Sequence, residues 1–258
     1  MNDSSALAFR LEDRVALVTG ATRGIGAAIA HEFASAGAQI LVTGRDEERA
    51  QSAAAAIHAA GGQARGFGYD ARTPGAASAL AERIAREVGR LDILVNNAAV
   101  LRPHVIAKLK EEEFDELFQV NVKSALFLTK ALQPLLQASG HGVVLNITAA
   151  GAQAPMAGIG AYCASKAALV NLTRTLAKEW TPLGIRVNAL TPGSTATDMI
   201  LPVDAARREQ FVAEMAAQNP MHRIAEPIEI ARAARFLVSE AASYVTGHVM
   251  VVDGGLLA

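Results

Sequence analysis

Val15-Ala16-Leu17-Val18-Thr19-Gly20-Ala21-Thr22-Arg23-Gly24-Ile25-Gly26 is the stretch whose reading decides the fold. Four apolar residues in a row read as a parallel strand buried on both faces. The run breaks at Gly20, and an apolar helical period begins beyond Gly26 with Ile29, Ala30 and Phe33. Glycines let backbone N–H groups approach a ligand closely, and a helix start offers unpaired N–H groups to an anion. Strand, glycine turn and helix together describe a cradle for a pyrophosphate. The spacing is Gly-x-x-x-Gly-x-Gly rather than the commoner Gly-x-Gly-x-x-Gly, and many strand-to-helix turns need glycine for packing alone. Residues further along the chain decide between the two readings.

Outward from this turn, strands and helices alternate. The first helix runs from about Gly24 to Ala36, Gly37 ends it, and Ile40-Leu-Val-Thr43 forms the second strand. An Ala-rich helix covers about 46–60, a third strand ends near Tyr69-Asp70, and another helix comes after Pro74. Leu91-Asp-Ile-Leu-Val95, Val143-Val-Leu-Asn-Ile147, Arg186-Val-Asn-Ala-Leu190 and His248-Val-Met-Val-Val252 supply the remaining strands. Long helices are expected over roughly 111–137 and 161–180, an amphipathic one over 205–218, and a last one after Pro227. This alternation implies right-handed crossovers and a Rossmann-type, doubly wound parallel α/β sheet. No repeat, low-complexity linker or composition shift marks a second domain, so 1–258 reads as one unit with a short, poorly fixed N-terminal tail over 1–12.

Bulk properties narrow the function. At 258 residues and 51% hydrophobic content the chain can bury a substantial core. A net charge of -1 offers no basic field for nucleic acid. Met1-Asn-Asp-Ser-Ser does not resemble a secretory leader. The stretch from Ala131 to Cys163 holds no Asp, Glu, Lys or Arg, but it is broken by Gly, Pro and Asn and predicts no membrane span. Cys163 is the single cysteine, which fits a cytoplasmic location, and its small-residue surroundings favour packing over a reactive thiol. No metal site is expected.

In such a sheet ligands bind beyond the carboxyl ends of the strands. Gly20–Gly26, Gly44-Arg45, Asp70, Asn96-Asn97, Thr148 and Pro192-Gly193 all fall there. Thr19-Gly-x-x-x-Gly-Ile-Gly26, Asn96-Asn-Ala-Ala99, Asn121, Tyr162-x-x-x-Lys166, Pro192-Gly193 and Val252-Asp-Gly-Gly255 occur in the order and spacing of the short-chain dehydrogenase/reductase family, which the chain resembles from about Arg14 to Gly255. Within it the chain is most similar to the single-domain 3-oxoacyl-carrier-protein reductases. The resemblance implies a seven-stranded sheet, a nicotinamide cofactor, a small-molecule substrate and a homotetramer.

Tyr162 and Lys166 have a physical reading of their own. Residues four apart share a helix face, and a nearby ammonium favours the phenolate of a tyrosine. The pair can exchange a proton with an alcohol or carbonyl while hydride moves; the alternative is a pair on a solvated helix face. The resemblance makes Asn121 the holder of a water that continues the relay, with a capping or kinking role as the alternative. It also implies cofactor contacts from Gly20, Thr22, Arg23, Gly24, Ile25, Gly26, Asn97, Ala98, Tyr162, Lys166, Pro192, Gly193, Thr195 and Thr197. Asp70 resembles the residue that contacts the adenine, with turn capping as the competitor.

The chain departs from the family where a serine normally holds the substrate oxygen, thirteen residues before the tyrosine. Ala149 stands there. Thr148 is the candidate substitute, although neighbours in a strand face opposite ways, which leaves packing as its other role. After the second strand Gly44 occupies the position usual for an acid, with Arg45 next to it. Arg45 and Arg23 suit a 2'-phosphate, so NADP(H) is preferred and NAD(H) remains possible, unless Asp46 and Glu47 pair with Arg45. Met199-Ile-Leu-Pro-Val203, Leu101 and 152–156 form an apolar lining that suits a medium-sized neutral ketone or secondary alcohol. The competing function is a cofactor-binding sensor or scaffold with little turnover.

Overall fold

The computed structural model describes residues 7–258. Its centre is a parallel sheet of seven strands in the order β3-β2-β1-β4-β5-β6-β7. The strands are β1 (Val15–Val18), β2 (Gln39–Gly44), β3 (Gln63–Gly68), β4 (Ile93–Asn96), β5 (Val143–Ile147), β6 (Arg186–Pro192) and β7 (Val249–Val252). Every residue of β1, β4 and β5 is buried, as the unbroken apolar runs require of strands covered on both faces. β1 pairs on one side with β2 (Leu17↔Leu41) and on the other with β4 (Leu17↔Leu94). The chain thus reverses its winding beside β1, which opens a crevice at the carboxyl ends of β1 and β4.

Two layers of helices close the sheet. On one face α1 (Gly24–Ser35), α2 (Glu47–Ala59) and α8 (Pro227–Val238) bring Ile29, Phe33, Ile57, Ile230 and Leu237 into one apolar cluster. On the other, α3 (Ala76–Glu87), α5 (Ser124–Ala138) and α6 (Gly160–Trp180) contribute Leu80, Ile84, Leu128, Leu132, Leu136 and Leu176. Each such fully buried side chain contributes about 1.5–3 kcal/mol relative to exposure. α4 (Glu111–Phe118) and α7 (Ala205–Ala217) lie among the connections.

The structure corrects two expectations. The single helix expected over 111–137 is interrupted: α4 ends at Phe118, and Gln119–Lys123 form a π-turn before α5 starts. There the Ser124 N–H bonds the Gln119 carbonyl, five residues back. The N-terminal tail expected over 1–12 is only in part within the described residues, and residues 7–12 are fixed. Leu11 is buried and donates its N–H to Ala36, Ala8 accepts from the Ala241 N–H, and the Phe9 ring stands 6.3 Å from that of Phe236. Leu11, buried, and the Phe9 ring beside Phe236 supply the apolar surface of this docking.

Candidate active site

The glycine turn is built from β1 outward. Gly20 and Gly24 have φ of +63° and +59°, a region that L side chains rarely adopt. A Cβ on Gly26 would fall 2.4 Å from Asn97 Nδ2 and 2.5 Å from the Gly20 carbonyl oxygen. Asn97 Nδ2 donates to the carbonyls of Thr19 (2.8 Å) and Gly20 (3.2 Å), which fastens the turn to the end of β4. The Thr19 hydroxyl accepts from the N–H groups of Asn97 and Ala98, and that of Thr43 from the Gly20 N–H. Sequence reading placed Thr19 in the glycine motif and Thr43 in the second strand without giving either hydroxyl a role. No side chain caps α1 and its first turn holds no acid, so its leading N–H groups are not met by a side chain. Turn and uncapped helix together fit a bound pyrophosphate.

Tyr162 and Lys166 lie on the first turns of α6, beside the end of β5. Lys166 is buried, and its Nζ donates to the Ile147 carbonyl at 2.8 Å. It stands 5.8 Å from the centroid of the Tyr162 ring. Burial pulls the ammonium down to about 8 and pushes the Tyr162 phenol above its ordinary value. The expected lowering of the phenol by Lys166 does not show in the bare site, where burial is the leading influence and Tyr162 holds its proton.

Asn121 sits in the π-turn, buried. Its Oδ1 accepts from the Val100 N–H (2.9 Å), and its Nδ2 donates to the Val100 carbonyl (3.0 Å) and to Ser165 Oγ (3.0 Å). The Ser165 hydroxyl in turn donates to the Tyr162 carbonyl at 2.7 Å. The amide is thus engaged by protein on both its oxygen and its nitrogen, tying the chain after β4 to the first turn of α6. Ser165 was missed in the sequence, although it lies between the two residues of the Tyr-x-x-x-Lys spacing.

At the end of β5, Thr148 is buried and its hydroxyl is committed to β6. It donates to the Leu190 carbonyl at 3.1 Å and meets the Thr191 hydroxyl at 2.6 Å. Thr148 as a substitute for the missing serine is therefore corrected: strand alternation turns it into the sheet. Ala149 is extended (φ -164°, ψ 156°) and partly exposed.

Around the ends of β2 and β3 each acid has its own arginine. Asp46 caps α2 through the Arg49 N–H and lies 3.3 Å from its guanidinium. Glu47 takes both terminal nitrogens of Arg83 at 2.8 Å, and Asp70 is held by Arg72 at 2.7 and 3.0 Å. Asp70 also accepts the Arg72 N–H, the turn-capping geometry raised as its alternative role. Arg72, foremost, and Arg45 hold the Asp70 carboxyl below its usual value. Arg45 forms no ion pair among the described residues and lines a cavity of about 280 Å³ with Tyr69, Asp70 and Thr73. The pairing of Arg45 with Asp46 or Glu47 does not occur. Arg23 is exposed and 3.6 Å from Asp198.

At the end of β6, Pro192 pairs with Val252 and Gly193 packs against Asp253, whose Cα would be 2.8 Å from a Cβ on Gly193. Thr195 is buried with its hydroxyl on the Gly193 carbonyl, so it stiffens the loop, whereas the Thr197 methyl borders Gly24. Met199 and Val203 are exposed just beyond this loop. Among the described residues no cluster of acids, histidines or cysteines suits a metal, and no helix is long and apolar enough to cross a membrane.

The family model described as "Enoyl-(Acyl carrier protein) reductase" matches residues 20–257. An uncharacterized oxidoreductase of Mycobacterium tuberculosis is 39% identical over 249 residues, covering 96% of this chain and 94% of that one. The 3-oxoacyl-acyl-carrier-protein reductase of Escherichia coli is 35% identical, covering 95% of this chain and 98% of that one. Among solved structures, a gluconate 5-dehydrogenase from Burkholderia cenocepacia, in complex with NADP and tartrate, has a TM-score of 0.91 at 33% identity, covering 98% of each chain.

Proposed function

Because the chain belongs to the short-chain dehydrogenase/reductase family of NAD(P)-dependent oxidoreductases, which act between CH–OH and C=O groups, we propose that it interconverts a ketone and a secondary alcohol with NADP(H), using Tyr162 to carry the proton. The observation that carries this reading is the buried Lys166 ammonium, anchored on Ile147 and 5.8 Å from the Tyr162 ring. When bound, the cofactor supplies or accepts the hydride. The turn from Gly20 to Gly26 would hold its pyrophosphate, Arg45 its 2'-phosphate, and Pro192–Thr197 would border its nicotinamide end.

The chain's own part is proton handling. Tyr162, kept protonated by burial, gives its proton to the substrate oxygen during reduction and takes it back during oxidation. Lys166 offsets the charge left on the phenolate, since it remains protonated below its value of about 8. Asn121 acts as a positioning residue that, through Ser165, fixes the turn carrying Tyr162. The apolar segment with Met199 and Val203 favours a medium-sized neutral substrate over a phosphorylated one.

Exposed Phe114, Phe127 and Tyr244 supply apolar area that a homotetramer would bury, and a lone buried cysteine fits a cytoplasmic setting. Ala149, with Thr148 committed elsewhere, supports a second reading, a cofactor-binding sensor with little turnover. A panel of ketones and alcohols monitored by NADPH and NADH absorbance tests both. Tyr162→Phe should abolish any turnover found while leaving NADPH titration unchanged. Turnover that survives the substitution would refute the role of Tyr162, and no turnover on any member of the panel would favour the sensor.

A further inference from the structure

The segment Gly44-Arg45-Asp46-Glu47 carries one cation and two acids. Taken alone its net charge is negative, the wrong sign for a 2'-phosphate. The fold reverses that sign by neutralising each acid separately. Asp46 is dealt with locally, as the cap of its own helix. Glu47 is not: its partner comes from α3, 36 residues along the chain. Arg83 meets both carboxylate oxygens at 2.8 Å, and the Gly68 N–H holds one of them at 2.7 Å. Arg83 is itself anchored by Glu87 at 2.9 Å and lies 4.8 Å from the centroid of the Phe67 ring. It shares the wall of the 280 Å³ cavity with Arg45.

We infer that Arg83 is a positioning residue for cofactor selectivity: by locking Glu47 in a two-pronged pair it leaves Arg45 out of any ion pair, as the charge that a 2'-phosphate meets. The inference rests on the NADP(H) reading and adds to it a residue that acts on Arg45 through Glu47. Without Arg83, the Glu47 carboxylate stands two residues from Arg45, held only by the Gly68 N–H and, at 3.5 Å, by the Gln51 amide. It then competes for Arg45 and repels the phosphate. NADH carries no 2'-phosphate and is indifferent to this change. The pair is about one-third exposed at both ends, so water screens it, and the effect is limited to about three- to tenfold in affinity.

The test is fluorescence titration of NADPH and of NADH against the full chain and four variants, none of which touches the proton-handling groups. Arg83→Gln should weaken NADPH binding by about three- to tenfold and leave NADH within about twofold. Adding Glu47→Gln to Arg83→Gln should restore NADPH binding, because the liberated acid is gone. Arg83→Lys, which keeps the charge, should stay near the parent. If Arg83→Gln fails to fold, Glu47→Gln alone carries the test: it leaves Arg83 with less compensation and should tighten NADPH but not NADH. Equal loss of both cofactors in Arg83→Gln without rescue by Glu47→Gln would reduce Arg83 to a scaffold role and overturn the inference. So would unchanged NADPH binding in a parent that prefers NADPH. A parent that binds both cofactors equally overturns the NADP(H) reading itself and the inference with it.

Discussion

Restoring a hydroxyl at Ala149 is the perturbation that most directly probes how this site holds a substrate oxygen. Ala149 is extended at φ -164° and partly exposed, so a serine needs neither a new backbone conformation nor a new cavity. Its neighbour cannot already be doing the work, because the Thr148 hydroxyl is buried and bound to Leu190 and Thr191. On the proposed function, the parent therefore presents Tyr162 without the side-chain donor that the family resemblance implies at position 149. Losing one donor to a developing oxyanion costs about 10²- to 10³-fold in rate. Adding one to a site shaped without it should recover part of that, about 10- to 100-fold in kcat, or about 1.4–2.7 kcal/mol of transition-state stabilisation. The assay is steady-state reduction of whichever ketone the panel accepts, run on the parent, Ala149→Ser and Thr148→Val. Thr148→Val should lower the melting temperature through a lost buried hydrogen bond worth about 1–2 kcal/mol, with kcat unchanged. A 100-fold fall in kcat for Thr148→Val, or no gain from Ala149→Ser, would refute the reasoning.

Arg45→Asp should weaken NADPH far more than NADH, because a carboxylate there repels the 2'-phosphate; titration with both cofactors checks this. Gly26→Ala should abolish binding of both cofactors alike, since its Cβ would fall 2.5 Å from the Gly20 carbonyl oxygen, which is backbone and cannot swing aside; the same titrations read it. The cofactor-free protein should gain stability as pH rises from about 8 towards 10. Over that range the unfolded chain still protonates Lys166 while the fold has released it, a contribution of about 2–3 kcal/mol. The raised phenol of Tyr162 acts in the opposite sense above its ordinary value, where the unfolded chain ionises first. Lys166→Met should flatten the rise in denaturant midpoints measured against pH. Light scattering should return four chains per particle, and a monomer mass at micromolar concentration would count against the homotetramer.

The strands and the crevice were legible because each buried strand is an apolar run that stops at a turn residue. Thr19, Asn96 and Pro192 mark strand ends in the sequence as well as in the sheet. Tyr162 and Lys166 were legible because four-residue spacing on a helix fixes their common face. The π-turn was not legible, since five residues are too few for a wider period to show against 3.6. Nor was the choice between Thr148 and Ala149, which depends on which neighbour the β6 edge accepts. The Glu47–Arg83 pair joins residues that no local pattern relates. The docking of residues 7–12 needed knowledge of the apolar surface of α8 that receives them.

The π-turn also limits how this chain can diverge. A regular helix advances about 100° per residue, so deleting a residue within α5 would rotate Leu132 or Leu136 off the sheet. The turn from Gln119 to Lys123 already contains one residue more than a regular turn. A deletion there would close it into ordinary helix and leave the apolar faces of α4 and α5 aligned. The fold would survive intact, while Asn121 would lose its grip on Val100 and Ser165. This short segment is thus a natural point at which a descendant could shed catalysis in one genetic step and keep a stable body for other uses.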